Sequence, residues 1–252
     1  ERAQMTAEQL QSIQSAELTS VMGPYVGVAF VLVIIWLMVK FTKMPRASEV
    51  FAKVELGPSI KRLLGNKNYC WAVVAQFFYM GAQIGVWSFT IRYVMQELNL
   101  NEDEASSYYL ASLILFSLSR FIFTGLMKYI SPRNLLLSSA VLGIVSTLIV
   151  IYGSGMPGVI ALVCISGFMS LMFPTIYGLG MMGLGNDAKI GGSGLIMAIL
   201  GGAVLTAVQG QVSDLTHSIN LAFYIPLICF VVVAVYGVIQ RNLEKSHKQV
   251  KV

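Results

Sequence analysis

Long apolar segments separated by short polar connections dominate the pattern of this sequence. Seven such segments can be recognised, at residues 21–40, 69–97, 105–127, 134–152, 158–181, 190–211 and 221–240. The hydrocarbon core of a bilayer is about 30 Å thick, so a spanning helix needs about 20 residues. Strands of a membrane barrel would alternate over about 10 residues, and these segments do not alternate. The pattern therefore predicts an all-α integral membrane protein with seven spans.

Composition and charge agree with membrane residence and add an orientation. Of the residues, 56% are hydrophobic and 12% are charged, against about 25% charged residues in a soluble domain. Most of the 17 lysines and arginines lie in the first, third and fifth connections and in the tail, and positive loops stay in the cytoplasm. The N-terminus is thus predicted outside and the C-terminus in the cytoplasm. The net charge of +5 follows from this asymmetry and does not indicate a nucleic-acid partner.

The spans and connections predict the domain organisation. The predicted parts are an external loop that can be partly helical at 1–20, a membrane helix at 21–41, a basic cytoplasmic connection at 42–68, six closely spaced spans at 69–240 and a cytoplasmic tail at 241–252. We expect the 42–68 connection to be a solvated linker, with short amphipathic surface helices as the alternative. One helix, a long basic connection and six helices are typical of a transporter built of two halves. The odd number of spans leads us to expect a further N-terminal part upstream of Glu1.

The second span carries the most informative polar pattern. A stripe within about 100° of arc on a helix contains two amides, aromatic side chains and a threonine. Its members are Gln76, Tyr79, Met80, Gln83, Trp87 and Thr90. Amides pair with sugar hydroxyls, and an aromatic face stacks on the apolar side of a pyranose. Bonding between neighbouring helices explains membrane glutamines equally well, so both interpretations stay open.

Other residues inside the spans are candidates for gating or helix packing. Arg120 is an intramembrane arginine and therefore a functional candidate, with gating or packing favoured over substrate contact. Pro174 predicts a kink in the fifth span, with Ser170 and Tyr177 on the same face. Gly201 and Gly202 predict close helix packing, although glycines also let helices rock.

The sequence contains no sign of enzymatic or metal chemistry. Its three cysteines have no metal-like spacing, and nothing resembles a phosphate-binding loop or a nucleophile elbow. We expect neither a cofactor, nor a metal, nor a catalytic residue. No aspartate or glutamate lies well inside a span, so a coupling carboxylate of a proton-driven carrier would lie outside this chain.

Three stretches together resemble a known family. These are residues 78–96 (FYMGAQIGVWSFTIRYVMQ), 119–126 (SRFIFTGL) and 168–185 (FMSLMFPTIYGLGMMGLG), the last followed by the glycine-rich 192–202. They are similar to motifs of the fucose–galactose–glucose:proton symporters, a bacterial branch of the major facilitator superfamily. The resemblance covers about residues 20–240 in order.

The resemblance implies a fold and a function. The first span would be the last helix of the N-terminal half, and the other six would form the C-terminal half. Members are twelve-helix carriers of the bacterial inner membrane that import L-fucose, glucose, galactose or related sugars with protons. The partners implied are a monosaccharide, a proton, the lipid bilayer and the N-terminal half of the same chain. The coupling carboxylates of the L-fucose carriers lie in that half.

The stripe and the resemblance together predict a sugar-facing wall. We expect Gln76, Tyr79, Gln83 and Trp87 to form it, with Phe173, Tyr177 and Ser193 as weaker candidates. Phe173 precedes Pro174 where the fucose carriers tend to have tyrosine, so the choice of sugar stays open.

Three alternatives remain at this point. Two are carriers, one for another solute such as N-acetylglucosamine and one for a sugar driven by sodium. The third is a seven-helix membrane receptor, whose topology is the same.

Overall fold

The computed structural model describes residues 7–41 and 56–249, and it divides into two units. The first unit is residues 1–52, and its described residues form the helix α1 (Ala7–Phe41). Its described apolar stretch, Tyr25–Met38, lies within the first predicted span. Because α1 begins at Ala7, residues 7–20 are helical, which the prediction of a partly helical segment at 1–20 allowed, and residues 1–6 lie outside the described part.

The second unit, residues 53–252, is a bundle of helices. Its helices are α2 (Leu56–Gly65), α3 (Lys67–Leu98), α4 (Glu102–Leu126), α5 (Pro132–Tyr152), α6 (Met156–Met169), α7 (Met172–Met181), α8 (Ala188–Met197), α9 (Leu200–Thr216), α10 (Ile219–Ala222) and α11 (Tyr224–Gln249). Within the described ranges, six helical segments are long and apolar enough to cross a membrane. Three of these spans consist of two helices each, namely α6–α7, α8–α9 and α10–α11. The six predicted spans of the 69–240 region are therefore present.

The starts of several helices follow local capping rules. The Asn66 side chain accepts hydrogen bonds from two backbone N–H groups at the start of α3. Asn101 and Glu104 form a capping box on α4, and Ser131 caps α5 with Pro132 in its first turn. Such caps satisfy N–H groups that have no partner inside the helix.

The bundle is built around α3. This helix packs against α4, α6, α7, α9 and α11, while α5 packs against α6 and α11. Most residues of the apolar part of α3 are buried, whereas α4 keeps most of its length exposed. Polar side chains of α3 consequently face other helices of the bundle, where their hydrogen bonding matters most.

Part of the predicted cytoplasmic connection is helical, because α2 lies within it and α3 begins at Lys67. For residues 56–65 the structure thus has a short helix, the alternative that we gave to a linker, and residues 42–55 lie outside the described part. Arg62 holds α2 in place because its side chain donates to both carboxylate oxygens of Asp187, at 2.9 and 2.7 Å. Within α2 it also donates to Ser59 Oγ at 3.0 Å. The neighbouring Leu63 is buried. The predicted tail is also helical as far as Gln249, the last residue of α11.

At the opposite end of the bundle, Glu97 of α3 forms hydrogen bonds to two other segments of the chain. Its carboxylate accepts from the backbone N–H of Gly155 at 2.7 Å and from the Asn220 side chain at 2.8 Å. The last turn of α3 is thereby held to the α5–α6 turn and to α10.

Glycines bring α3 and α9 into close contact. A Cβ added at Gly201 would overlap the backbone carbonyl oxygen of Phe77, and one added at Gly81 would overlap the side chain of Leu205. Each glycine costs about 1 kcal/mol of helix propensity relative to alanine. The close approach that glycine permits between helices offsets this cost, as in many membrane proteins. Packing is therefore the role that the structure favours for Gly201.

We predict that Gly201→Ala lowers the thermal stability of the full-length protein, although alanine is the better helix former. The new methyl group meets a backbone oxygen that cannot rotate away, so we expect a loss of about 1–3 kcal/mol, as for overpacking in other interiors. Thermal unfolding in detergent measures the effect, with Gly210→Ala in the same helix as the matched control because a Cβ there meets nothing within 4 Å. An equal or higher melting temperature for Gly201→Ala would contradict this packing.

Candidate functional site

The fifth span is interrupted next to Pro174. Helix α6 ends at Met169 and α7 begins at Met172, so the predicted kink is present as a helix break. Proline has no N–H, and the carbonyl group four residues earlier therefore loses its intrahelical donor. Here that group belongs to Ser170, which is fully buried.

Arg120 supplies the donor that the proline lacks. Its Nε donates to the Ser170 carbonyl oxygen at 3.4 Å, across from α4. The guanidinium carbon also lies 5.3 Å from the centre of the Phe116 ring, within cation–π range. The contact joins α4 to the break in the fifth span, and the gating or packing role of Arg120 stays a prediction.

A second donor reaches the same break from α3. The hydroxyl of Tyr79 donates to the carbonyl oxygen of Met169 at 3.0 Å, and the Tyr79 side chain is fully buried. Its ring lies 6.3 Å from that of Phe173. Burial raises the cost of any unpaired polar group, so these two donors hold α3 and α4 to the break between α6 and α7.

Trp87 extends this arrangement by two turns along α3. Its Nε1 donates to Ser166 Oγ at 3.2 Å, and its ring meets Phe116 edge-on at 5.1 Å. The side chains around the break are Tyr79 and Trp87 of α3, Phe116 and Arg120 of α4, Ser166 of α6 and Phe173 of α7, and we call them the break cluster.

The two amides of the stripe behave differently from its aromatics. Gln76 is fully buried, and neither its oxygen nor its nitrogen has a hydrogen-bond partner. Gln83 is half-buried, and no hydrogen bond joins it to another described residue. A buried polar group without a partner costs about 1–3 kcal/mol. Of the two interpretations, bonding between helices therefore fits Tyr79 and Trp87 but not the two amides.

The remaining predicted residues lie apart from the break cluster. The Tyr177 hydroxyl lies against Gly192 of α8, while the exposed Ser193 donates to the Lys189 carbonyl of its own helix at 3.2 Å. Pro174 itself is exposed. Gly201 and Gly202 belong to the α3–α9 contact, where a Cβ on Gly202 would come within 2.8 Å of the Ile84 side chain.

The sequence analysis did not select several residues that the structure places in this region. Ser166 and Phe116 complete the break cluster, but a single serine or phenylalanine in an apolar span gives no signal. Gln209 of α9 did give one, because a glutamine inside a span is costly to bury. It is fully buried, both its amide atoms are without a partner, and Gly85 leaves space for it on α3.

A groove of about 570 Å³ runs along the α3–α9 contact. It is lined by Ile84, Ile199, Leu200, Gly202, Ala203, Thr206 and Ala207. Gly202 is the one predicted residue that it shares. Among the described residues, no group of three or more His, Cys, Asp or Glu side chains could hold a metal ion.

The comparisons with known proteins identify relatives over nearly the whole chain. The L-fucose-proton symporter of Haemophilus influenzae is 37% identical over 232 residues, which covers 90% of this chain and 54% of the relative. That of Escherichia coli is 34% identical over 238 residues, covering 92% and 54%. A putative glucose/galactose transporter of Helicobacter pylori is 28% identical over 233 residues, covering 90% and 56%. The chain thus spans about half the length of the curated relatives it matches, and no family model matches it.

The fold has a solved counterpart. A crystal structure of the major facilitator superfamily transporter FucP, in the outward conformation, matches with a TM-score of 0.83 and 33% identity. The match covers 94% of this chain and 59% of that one. The predicted resemblance is confirmed: the chain has the fold of part of a major facilitator superfamily transporter and is similar to part of the L-fucose-proton symporters.

Proposed function

We propose that the protein containing this chain is a proton-coupled monosaccharide symporter that works by alternating access. This chain would supply the last helix of its N-terminal half and the whole six-helix C-terminal half. The names of the two relatives that are 37% and 34% identical support the activity. The coverage of about half of each relative supports the division into halves.

One observation supports the sugar site most directly, namely the unpaired amides beside paired aromatics on α3. Tyr79 and Trp87 already bond to α6, so their side chains are held in fixed positions. Gln76 and Gln83 keep free donors and acceptors on the same stripe. Sugar hydroxyls would supply the missing hydrogen bonds of the half-buried Gln83, and the Trp87 ring would offer an apolar face, whereas the fully buried Gln76 is out of a sugar's reach as the helices are arranged here. Phe173, Tyr177 and Ser193 are secondary candidates for the same wall.

The helix break next to Pro174 would be the moving part. Ser170 and Leu171 keep right-handed helical dihedral angles, but the hydrogen-bond ladder is interrupted between α6 and α7, and such a point lets the two helices change their mutual angle without breaking the hydrogen bonds inside either. As that angle changes, the side chains of Tyr79 and Arg120 can move with the carbonyl groups that they bond. They can also transfer their hydrogen bonds to neighbouring carbonyl groups. This gives α6–α7 a hinge near the proposed sugar wall.

Coupling would depend on the rest of the protein. Within the described residues, the carboxylates of the second unit lie at or near helix ends, for example Glu97, Asp187 and Asp214. A proton-carrying carboxylate at the depth of the sugar would therefore come from the N-terminal half. We place the protein in the bacterial inner membrane, with the N-terminus of this chain outside and its C-terminus in the cytoplasm, because basic residues gather at one end of the spans.

The second candidates are a carrier of another solute, such as N-acetylglucosamine, and a symporter driven by sodium. The receptor alternative is not favoured, since the relatives with high identity are named as transporters.

A pH electrode in a suspension of de-energised cells that express the full-length protein tests the function. We expect transient alkalinisation of the medium on addition of L-fucose, glucose or galactose, because protons enter with the sugar. N-acetylglucosamine is added in a separate run to test the alternative solute. Uptake of labelled sugars under a sodium gradient tests the alternative driving ion. Uptake that follows sodium and leaves the pH unchanged would contradict proton coupling.

For the sugar site, we predict that Gln83→Ala raises the half-saturation concentration for sugar uptake about fivefold. The variant removes hydrogen bonds worth about 1 kcal/mol in sum. Uptake at several sugar concentrations measures the effect, after membrane insertion has been verified by immunoblot. Gln211→Ala, at an exposed position of α9, is the matched control. Equal half-saturation concentrations in the two variants would remove Gln83 from the sugar wall.

For the hinge, we predict that Arg120 and Pro174 are energetically coupled. Arg120→Ala should lower the melting temperature, because the Ser170 carbonyl loses its donor. In a Pro174→Ala background the loss should be smaller by about 1 kcal/mol, since the backbone N–H of residue 174 can then reach that carbonyl. Thermal unfolding of the four proteins of this cycle measures the coupling. Strictly additive effects would show that Arg120 does not serve the carbonyl group that the proline leaves unpaired.

A further inference from the structure

A groove of about 440 Å³ lies between the beginning of α5 and the end of the apolar part of α11. Its lining consists of Asn134, Leu137, Ser138, Val141, Leu142 and Arg241. None of these residues belongs to the break cluster or to the proposed sugar wall. The α5–α11 pair packs closely behind the groove, where a Cβ on Gly237 would lie 3.2 Å from Leu137.

The lining changes from polar to apolar along α5. Asn134 stands in the first turn of α5, and Val141 follows seven residues later, about 10 Å deeper at 1.5 Å per residue. Val141 and its neighbour Leu142 leave 46% and 45% of their surface exposed. The polar end of the groove therefore lies at the level where the helices leave the hydrocarbon region, and its apolar end lies inside that region.

The polar end carries a positive charge and complementary hydrogen-bonding groups. Arg241 is exposed and makes no hydrogen bond or ion pair with another residue in the described ranges. The Ser138 hydroxyl donates to the Leu135 carbonyl at 3.0 Å, so its oxygen remains an acceptor. The Asn134 side chain adds an amide donor and an acceptor at the same level.

We infer that this groove is a binding site for an anionic phospholipid, of the chemistry of phosphatidylglycerol. The lipid phosphate would pair with Arg241 and accept from Asn134, while a hydroxyl of the glycerol headgroup would donate to Ser138. One acyl chain would lie on Leu137, Val141 and Leu142. Charge complementarity selects this occupant, because a zwitterionic lipid would place a second, positive group at a site that already holds a cation. Basic pockets between membrane helices bind anionic headgroups in this way.

Native mass spectrometry of the full-length protein in detergent tests the site. The protein is titrated with phosphatidylglycerol and with phosphatidylcholine of the same acyl chains, and the dissociation constant of the first bound lipid is measured. We expect phosphatidylglycerol to bind more tightly. Arg241→Gln should weaken its binding about fivefold, since one basic residue contributes about that much to binding at an anionic lipid surface.

Two further variants separate the groove from general charge and from folding. Lys189→Gln removes one exposed positive charge on α8, outside the groove, and should leave phosphatidylglycerol binding unchanged. Val141→Trp keeps Arg241 but fills the apolar part of the groove, so it should weaken binding as well. The melting temperature and monodispersity of each variant are measured first. They should equal those of the unchanged protein, because Arg241 and Val141 are both exposed and their replacement should leave the fold intact.

Each other outcome would overturn the inference. Equal losses in Arg241→Gln and Lys189→Gln would show attraction by surface charge alone. Equal affinity for the two lipids would show ordinary boundary lipid. A dimer of the protein that Val141→Trp dissociates would show that a second copy covers the groove.

Discussion

The break in α6–α7 is the constraint on which the arrangement of the bundle depends. In a bilayer no water is available to backbone groups, so a carbonyl that proline deprives of its donor needs a partner from the protein. Pro174 creates this need at Ser170, and Arg120 of α4 meets it, while Tyr79 of α3 bonds to the adjacent carbonyl of Met169. Three spans are thereby fixed relative to one another at one point. An arginine inside a span is expensive by itself, but here its charge is used by the backbone and by an aromatic ring.

The central helix α3 packs closely against α9 on one side and forms hydrogen bonds to α6 on the other. On one side, glycines let α9 approach so closely that a single added carbon would overlap with the backbone of Phe77. On the other side, aromatic side chains are tied to α6, and two amides remain without partners. Rigid packing and unsatisfied hydrogen-bonding capacity on the same helix suit a carrier, which must hold its site in shape and still bind and release a polar solute.

Polar contacts at the two ends of the bundle complement the apolar packing between them. Arg62 and Asp187 hold α2 against the α7–α8 connection, and Glu97 joins the other end of α3 to α10 and to the α5–α6 turn. Both contacts lie where the spans end, because water and lipid headgroups lower the cost of charge there. The groove at Arg241 also lies where a span ends, at the end of the bundle that holds α2. The charge of Arg241 is exposed and is not paired with another helix of the described part.

The sequence by itself determined the class of the protein, the six spans of the second unit and their order, the asymmetry of charge and the helix break. Each of these follows from local properties: apolar length against bilayer thickness, and the missing N–H of Pro174. It also placed Gln76, Tyr79, Gln83 and Trp87 on one side of α3, because helical periodicity is a local property too. It offered a helix at α2 only as an alternative to a linker, since a short charged segment forms a helix stably only when another element, here Asp187 and its neighbours, holds it. Only the tertiary structure decided that the tyrosine and the tryptophan are paired while the glutamines are not, because hydrogen-bond partners come from residues distant in the chain.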